Sequence, residues 1–281
     1  MIRFSDARIV ELIAEDVPYL DLTCEVLGVG EQRGEMEYFT REACVAAGSE
    51  VVRRMAQHLG CDVVSAVADG TSVEAGGTLM VVHGTSAALH QLWKVGLNTF
   101  DHLSAVATKT RQMVDAAHAA NPACEVLTTR KSMPGAKDLL TCAVRAGGAW
   151  PHRLGLSETV LVFDHHLTFF GGMDAFIEQL PALRRRCIEK KLFVEAGERE
   201  AAALARAGVD GIQLDKLPPE QLAALVAELR AIDPRITLIA AGGINPENAA
   251  EYAATGVDGL ATTAPFSAKP LDMSVRMRVL S

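Results

Sequence analysis

Residues 192–215 read LFVEAGEREAAALARAGVDGIQLD. Two short apolar runs, LFVEA and GIQLD, flank a segment with helical apolar spacing that ends at Gly208. Continuous apolar strands without alternation are typical of parallel strands that are buried on both faces. The stretch therefore predicts a strand–helix–strand unit of a parallel α/β sheet.

The same pattern extends in both directions, from about residue 123 almost to the end of the chain. Four further strand-like runs are separated by helical patterns: EVLTTR, TVLVFD, ITLIAAGG and GLATT. We therefore predict six parallel strands that alternate with helices. Because no G-x-G-x-x-G follows the first strand, a single barrel-like layer is favoured over a dinucleotide-binding sheet.

The first 120 residues have a different texture. Helical patterns lie around residues 6–15 and 41–58, and a long helix is predicted from Ala87 to about Ala120. Between them, residues 63–84 form short strand-like runs that glycines interrupt. These elements predict an α+β domain with a strand-rich sheet.

The last residues break the barrel pattern. Apolar and polar residues alternate with period two from Leu271 to Val279, which predicts a half-buried antiparallel strand. We expect this strand to return to the N-terminal sheet. The predicted domains are therefore residues 1–105 with 268–281, and residues 106–267.

Composition limits the function. The net charge is −8, from 27 basic and 35 acidic residues, which argues against nucleic-acid binding. No apolar run reaches about 18 residues, so no membrane span is predicted, and the N-terminus lacks a signal pattern. The six cysteines are dispersed without a C-x-x-C pair, which favours reduced thiols and a cytoplasmic enzyme.

A barrel of this kind has its active site at the carboxyl ends of the strands. Residues 126–153 hold five basic residues against one acidic residue, and Arg130, Lys131, His152 and Arg153 directly follow apolar runs. Such a cluster focuses anionic substrates, and arginine suits carboxylate or phosphate. The alternative is a solvated basic surface.

Two carboxylates and a glycine pair end later strands. Glu195 and Asp215 could hold Mg²⁺ or ribose hydroxyls, or could form salt bridges within the rim. Gly242 and Gly243 end a strand and are expected to open a helix that binds phosphate, although glycine pairs also occur in plain turns.

Asp164-His165-His166 suggests a metal site at first sight. If these residues continue a strand, however, the adjacent histidines point to opposite faces and do not easily share one ion. A hydrogen-bonding role at the rim is the favoured interpretation.

Several motifs together resemble the quinolinate phosphoribosyltransferase (nicotinate-nucleotide pyrophosphorylase) family over nearly the whole chain. The motifs are DVPYLDLT, LWKVGLNTFDHLSAVATKT and TTRKSMPGAKDLLTCAVRAGGAWPHRLGLSETVLVFDHH, followed in order by FVEAGERE, IQLDK, AAGGI and GVDGL. The longest of them is similar to the family's D-T-R-K-T-x-P-G, G-G-x-x-x-H-R and K-D-N-H signatures.

The resemblance implies an N-terminal α/β sandwich and an incomplete α/β barrel. It also implies a homodimer, or a hexamer built from dimers, in which the N-terminal domain of one subunit covers the barrel mouth of its neighbour. The family reaction joins a pyridine dicarboxylate to phosphoribosyl pyrophosphate with Mg²⁺ and releases pyrophosphate and CO₂.

Site roles follow from the resemblance, position by position. Arg130, His152 and Arg153 correspond to acceptor-carboxylate binders, and Lys131 to a contact with acceptor or pyrophosphate. Glu195 and Asp215 correspond to ribose and Mg²⁺ ligands, and Gly242 and Gly243 to the 5′-phosphate cradle. Lys94, Phe163 and His166 complete the substrate-binding set.

The departures from the family pattern concentrate on the acceptor side. Lys94 replaces an arginine, Phe163 the lysine of K-D-N-H and His165 its asparagine, while Thr128 replaces an aspartate and Thr263 a phosphate-loop glycine. Losing a cation opposite a dicarboxylate weakens its binding. This pattern looks like the ModD subgroup, pyrophosphorylase relatives associated with molybdenum transport loci, and predicts an aromatic acid other than quinolinate as acceptor.

Two alternatives remain. The chain could be a genuine nicotinate-nucleotide pyrophosphorylase (carboxylating) of NAD biosynthesis that tolerates these changes. It could instead be a non-catalytic protein that binds an oxyanion such as molybdate at the basic rim.

Overall fold

A computed structural model describes residues 2–281. The helices are α1 (Asp6–Ala14), α2 (Leu22–Leu27), α3 (Ser49–His58), α4 (Ser86–Ala120), α5 (Lys137–Ala146), α6 (Asp164–Phe170), α7 (Gly172–Arg186), α8 (Glu198–Ala207), α9 (Pro219–Ile232) and α10 (Ala249–Ala253). The strands are β1 (Arg33–Thr40), β2 (Cys44–Val45), β3 (Asp62–Ala66), β4 (Ser72–Val73), β5 (Thr78–Thr85), β6 (Glu125–Thr128), β7 (Trp150–Pro151), β8 (Val160–Val162), β9 (Leu192–Ala196), β10 (Gly211–Asp215), β11 (Thr237–Ala241), β12 (Gly259–Thr262) and β13 (Met273–Val279).

The chain forms two compact units. The first comprises the residues up to Arg111, Ser132–Gly148 and Pro265–Ser281; the second comprises Gln112–Lys131 and Ala149–Ala264. Our predicted boundaries placed the segment of α5 in the second domain, whereas its contacts group it with the first unit. Whether the chain divides into independent domains at residues 105/106 and 267/268 stays a prediction.

The C-terminal strand belongs to the antiparallel sheet of the first unit, whose order is β13-β1-β5-β3. In its pairing with β1, Glu35 lies opposite Arg278 and Glu37 opposite Arg276. Both cross-strand pairs are ion pairs, at 2.7 and 3.0 Å. The C-terminal end of β13 is nevertheless exposed, and Val279 is 71% exposed, because β13 is an edge strand. The prediction of a half-buried strand was therefore wrong at this end.

The core of this unit lies between the sheet and α3 and α4, around Tyr38 and Phe100. The Tyr38 hydroxyl donates to the Leu92 carbonyl at 2.9 Å, and Gly96 leaves room for the ring because a Cβ there would overlap it. The predicted helix over residues 41–58 was wrong in its first half, where the chain forms β2 instead.

The second unit contains a seven-stranded parallel sheet of order β7-β6-β12-β11-β10-β9-β8. The predicted fold class is confirmed, with one strand more than the six predicted. Strand β7 was missed because it is only two residues long, too short to show a pattern. Within the described residues the end strands β7 and β8 do not pair, so the barrel is incomplete.

Side chains inside this sheet form a hydrophobic cluster. Its apolar members are Leu161, Phe193, Ile239, Ala241 and Ala261, with Leu127 and Phe163 packed against them. Gly211 is required under the Phe193 ring, because any Cβ at that position would overlap the ring. Polar residues follow the apolar ones toward the carboxyl ends of the strands, as Glu195 does on β9. No helix among residues 2–281 is both long enough and apolar enough to cross a membrane.

Candidate active site

A buried cation lies at one end of the barrel mouth. Arg153 follows β7 and is only 9% exposed, yet none of the ion pairs among the described residues includes it. Its guanidinium donates to the Thr159 carbonyl at 3.4 Å. Burial lowers the pKa of Arg153, and the charge of Arg130 lowers it further. A buried charge without an acidic partner destabilises the folded protein. A bound anion would supply that partner, so the two arginines form a candidate anion site.

An aromatic pair lies beside the arginines. The Arg153 guanidinium carbon is 5.9 Å from the centroid of the Phe163 ring, which stacks on His166 at 5.9 Å and 26°. The Phe163 N–H donates to His166 Nδ1 at 3.0 Å, which makes His166 a cap of α6. The expectation that Asp164-His165-His166 continues a strand was therefore wrong, because these residues start a helix.

The arginines and the aromatic pair open onto an apolar cavity of about 730 Å³. Its lining includes Arg130, Arg153, Phe163, His166, Phe170 and Phe176. The lining also includes Arg186 and is apolar along β8, so the cavity combines cationic groups with aromatic and aliphatic side chains.

Carboxylates gather at a neighbouring position on β9 and β10. Glu195 pairs in register with Gln213, whose Nε2 donates to Glu195 Oε2 at 2.5 Å. Burial raises the pKa of Glu195, and the charges of Asp215 and Asp164 raise it further, whereas the hydrogen bond from Gln213 opposes them. Together with Glu200 these carboxylates line a cavity of about 570 Å³.

This donor set fits Mg²⁺. The mutual repulsion of Glu195 with Asp215 and Asp164 is what a bound cation relieves, and carboxylate oxygens are its preferred protein ligands. Mg²⁺ is usually held by one or two carboxylates together with substrate phosphates and water, so a closed cage of side chains is not required.

The glycine pair forms a tight turn against the end of β10. Gly242 has φ +92°, and a Cβ there would lie 2.5 Å from Lys216 Cγ and 2.9 Å from Asp215 Oδ1. Lys216 itself has φ 58°, and its N–H donates to the Ala241 carbonyl at 2.8 Å. Only glycine therefore fits at position 242. Gly243, with φ +72°, faces open space.

The glycine pair does not open a helix directly, contrary to our expectation. Helix α10 begins only at Ala249, after an asparagine-stabilised turn. Asn248 Oδ1 accepts the Asn245 N–H at 2.8 Å, so this amide is already engaged. A phosphate at this position would meet the glycine turn rather than a helix N-terminus.

The remaining predicted residues are distributed over both units. His152 lies beside Arg153, and burial followed by the Arg153 charge lowers its pKa. Lys131 is exposed at the end of β6, and its N–H donates to Thr129 Oγ1 at 3.3 Å. Lys94 belongs to the first unit, where its Nζ lies 5.4 Å from the Trp93 ring centroid.

Sequence reasoning missed Gln213, the hydrogen-bond partner of Glu195. Gln213 is two positions before Asp215 on β10, so period-two alternation could have indicated its orientation toward Glu195. Asp164 was considered only as part of a metal site with His165 and His166, whereas the structure places its charge near Glu195.

These features define a class: an α/β-barrel enzyme with a basic, aromatic-lined cavity next to a carboxylate-lined cavity. The family model "Quinolinate phosphoribosyl transferase, C-terminal domain" matches residues 106–276, and the corresponding N-terminal model matches residues 21–104. The chain belongs to the quinolinate phosphoribosyltransferase family, a family of pentosyltransferases.

Relatives bear two kinds of name. A Rhodobacter capsulatus protein named as pyrophosphorylase ModD is 44% identical, over 89% of this chain and 96% of the relative. An Escherichia coli O127:H6 protein of the same name is 35% identical, over 99% and 98%. A Methanothermobacter thermautotrophicus protein named as nicotinate-nucleotide pyrophosphorylase (carboxylating) is 31% identical, over 96% and 98%.

Solved structures support the same fold. The crystal structure of NadC from Streptococcus pyogenes is similar, with a TM-score of 0.88 and 25% identity, covering 98% of this chain and 97% of that chain. A NadC deletion mutant also has a TM-score of 0.88 and 25% identity, covering 99% and 100%. The predicted family, fold and enzyme class are thereby confirmed.

Proposed function

We propose that this protein transfers the phosphoribosyl group of phosphoribosyl pyrophosphate to an aromatic acid other than quinolinate, with Mg²⁺ as cofactor. The observation that carries the proposal is the buried, unpaired Arg153 beside Phe163. We further propose that the enzyme acts in the cytoplasm.

The acceptor side supports an aromatic acid with less negative charge than a dicarboxylate. Arg130 and Arg153 supply two guanidinium groups, which can bind a carboxylate by paired hydrogen bonds. Phe163 stands where the family motif has lysine, so this wall offers a ring face and no charge. A second carboxylate directed at Phe163 would lose its water without gaining a partner.

The donor side supports phosphoribosyl pyrophosphate. Glu195 and Asp215 are the residues that would hold Mg²⁺, which neutralises diphosphate charge when bound. Lys131 is exposed and available to the leaving pyrophosphate, and the turn of Gly242 and Gly243 supports binding of the 5′-phosphate.

The chemistry demanded of these residues is positioning and charge stabilisation. The arginines hold the acceptor with its nucleophilic atom next to the sugar, which lowers the entropic part of the activation barrier. The carboxylate of Glu195, held by Gln213, stabilises positive charge that develops on the ribose ring as pyrophosphate departs. The half-buried setting strengthens this interaction relative to water.

The test is pyrophosphate release from phosphoribosyl pyrophosphate with Mg²⁺ and a panel of aromatic mono- and dicarboxylic acids, quinolinate included. We expect turnover with a monocarboxylate or a larger ring system, and little with quinolinate. Efficient quinolinate turnover would instead identify a genuine nicotinate-nucleotide pyrophosphorylase. Calorimetric binding of molybdate without binding of phosphoribosyl pyrophosphate would indicate the non-catalytic oxyanion role.

We also propose a homodimer, or a hexamer of dimers, in which Lys94 of one subunit serves the site of its partner. Light scattering gives the assembly. Mixing inactive Lys94→Ala and Arg153→Met subunits then tests the shared site. Partial recovery of activity is expected because each mixed dimer holds one intact site, whereas no recovery would mean that each site is built within one subunit.

A further inference from the structure

A compact group of three metal-binding side chains lies in the first unit, where the proposed transferase reaction uses none of them. Asp21, Cys24 and His90 each offer one ligand atom, and these atoms all lie within 4.8 Å of one another. Cys24 is buried, and the other two are partly exposed, so an ion could reach them from solvent. His90 is far from Asp21 and Cys24 in the sequence, so the fold rather than a local motif brings the three side chains together.

Asp21 and Cys24 are held by the start of α2. Asp21 is the N-cap residue, and its Oδ1 accepts the N–H groups of Thr23 and Cys24 at 3.0 and 3.1 Å. One carboxylate oxygen is therefore committed to the cap, and this orients the whole group toward the Cys24 thiol. The aspartate does not need to reorganise in order to act as a ligand.

His90 comes from the first turns of α4. Its Nδ1 lies 2.7 Å from the Ser86 carbonyl, a contact that fixes the orientation of the ring. Metal-binding histidines commonly have one ring nitrogen hydrogen-bonded to a carbonyl or carboxylate in this way. The ring edge of His90 also contacts Trp93, with centroids 6.3 Å apart, which limits its motion further.

Backbone hydrogen bonds tie the two elements together. The Ser86 N–H donates to the Gln32 carbonyl at 2.7 Å, and the Ala87 N–H donates to the Gly30 carbonyl at 3.1 Å. The turn that follows α2 is thus joined to the first turn of α4. The ligands are arranged before any ion binds, which lowers the entropic cost of binding.

We propose that Asp21, Cys24 and His90 form a binding site for a transition-metal cation of the zinc class. A donor set of sulfur, nitrogen and oxygen suits Zn²⁺, whereas Mg²⁺ prefers oxygen ligands alone. A thiolate and a carboxylate neutralise the two charges of such an ion. Three protein ligands leave a fourth position for water or another ligand.

The test uses the full-length protein, freed of metal with a chelator and titrated with Co²⁺ in excess Mg²⁺. We expect one Co²⁺ per chain and a thiolate-to-cobalt charge-transfer absorption. Cys24→Ser should abolish this absorption, and Asp21→Asn should weaken binding by about 100-fold, the upper end of what loss of a supporting residue commonly costs. Asparagine also caps helices well, so Asp21→Asn removes the charge while it preserves α2.

Cys61→Ser is the matched control, because Cys61 is another buried cysteine of the same unit and lies outside the group. Its Co²⁺ titration should match that of the wild-type protein. Co²⁺ binding without a sulfur band, binding below one ion per chain, or an equal loss in Cys61→Ser would overturn the proposal. Because pyrophosphate release is measured separately, failure of this site leaves the transferase proposal unaffected.

Discussion

In the second unit the guanidinium carbon of Arg153 lies over the Phe163 ring, 5.9 Å from the ring centroid. The ring offers the cation a modest attraction, about 0.5–1 kcal/mol for an exposed contact and more when water is excluded. This attraction does not replace a carboxylate. The pair therefore gives the cavity one cationic and one aromatic wall, and this is where we propose that the acceptor binds.

The first prediction concerns the aromatic wall. Phe163→Lys should raise kcat/KM for quinolinate by about 10-fold or more, because it supplies a cation to the second carboxylate. The measurement is pyrophosphate release at varied quinolinate. Phe169→Lys is the matched control, since the same change falls on a side chain that is 93% exposed and should have no effect. Equal quinolinate activity in wild type and Phe163→Lys would contradict the proposed role.

The second prediction concerns the buried cation. Arg153→Met should lower kcat/KM for the acceptor by at least about 30-fold, equivalent to 2 kcal/mol, because the acceptor loses a desolvated charge partner. It should also raise the thermal midpoint, because a buried guanidinium without an acidic partner is replaced by an apolar side chain. A lowered midpoint would show that Arg153 is structural, and thermal scans with steady-state kinetics distinguish the outcomes.

The third prediction concerns the glycine turn. Gly242→Ala should raise KM for phosphoribosyl pyrophosphate by about 10-fold or more, because the new methyl group displaces Asp215 and Lys216. Gly60→Ala is the control: it has the same left-handed backbone and faces open space but lies outside the proposed site, so it should cost only about 1 kcal/mol of stability. Identical kinetics in the two variants would mean that backbone strain alone is responsible.

The fourth prediction concerns Glu195. Glu195→Gln should reduce turnover strongly and raise the thermal midpoint by about 2 °C, a shift typical of a modest stabilisation. Burial raises the pKa of this carboxyl, so its ionised form destabilises the folded state at neutral pH. Glu200→Gln, in the same cavity, is the control and should shift the midpoint less. A lower midpoint in Glu195→Gln would count against the electrostatic interpretation.

The fifth prediction is a pH dependence in the first unit. Burial raises the pKa of Asp101 from 3.8 to about 6, and its Oδ1 is buried without a hydrogen-bond partner. The protonated carboxyl therefore stabilises the folded state below about pH 4, and this contribution is lost as the pH rises to about 6.

Asp101→Asn should accordingly gain on the order of 2 kcal/mol of unfolding free energy over wild type at pH 7.5 and almost nothing at pH 4. Urea unfolding at both pH values measures the difference. Asp115→Asn, which changes an exposed carboxylate of the same helix, should show no pH-dependent gain. A constant difference at both pH values would exclude titration of Asp101 as the cause.

The parallel sheet could be predicted from sequence alone, because strands buried on both faces must be apolar along their whole length. The runs at Leu192–Ala196 and Gly211–Asp215 become β9 and β10 with the predicted bounds. Their terminal polar residues, Glu195 and Asp215, lie at the predicted end because all parallel strands point the same way. The period-two strand at the C-terminus likewise pairs with β1.

Tertiary structure decided what depends on contacts between distant residues. Nothing local marks β7, which is two residues long and is defined by pairing with β6. The burial of Arg153 without an acidic partner, and the convergence of Asp21 and Cys24 with His90, arise from elements that are far apart in the chain. Side-chain type and periodicity are local properties of the sequence, whereas desolvation and ligand distance depend on how the chain packs.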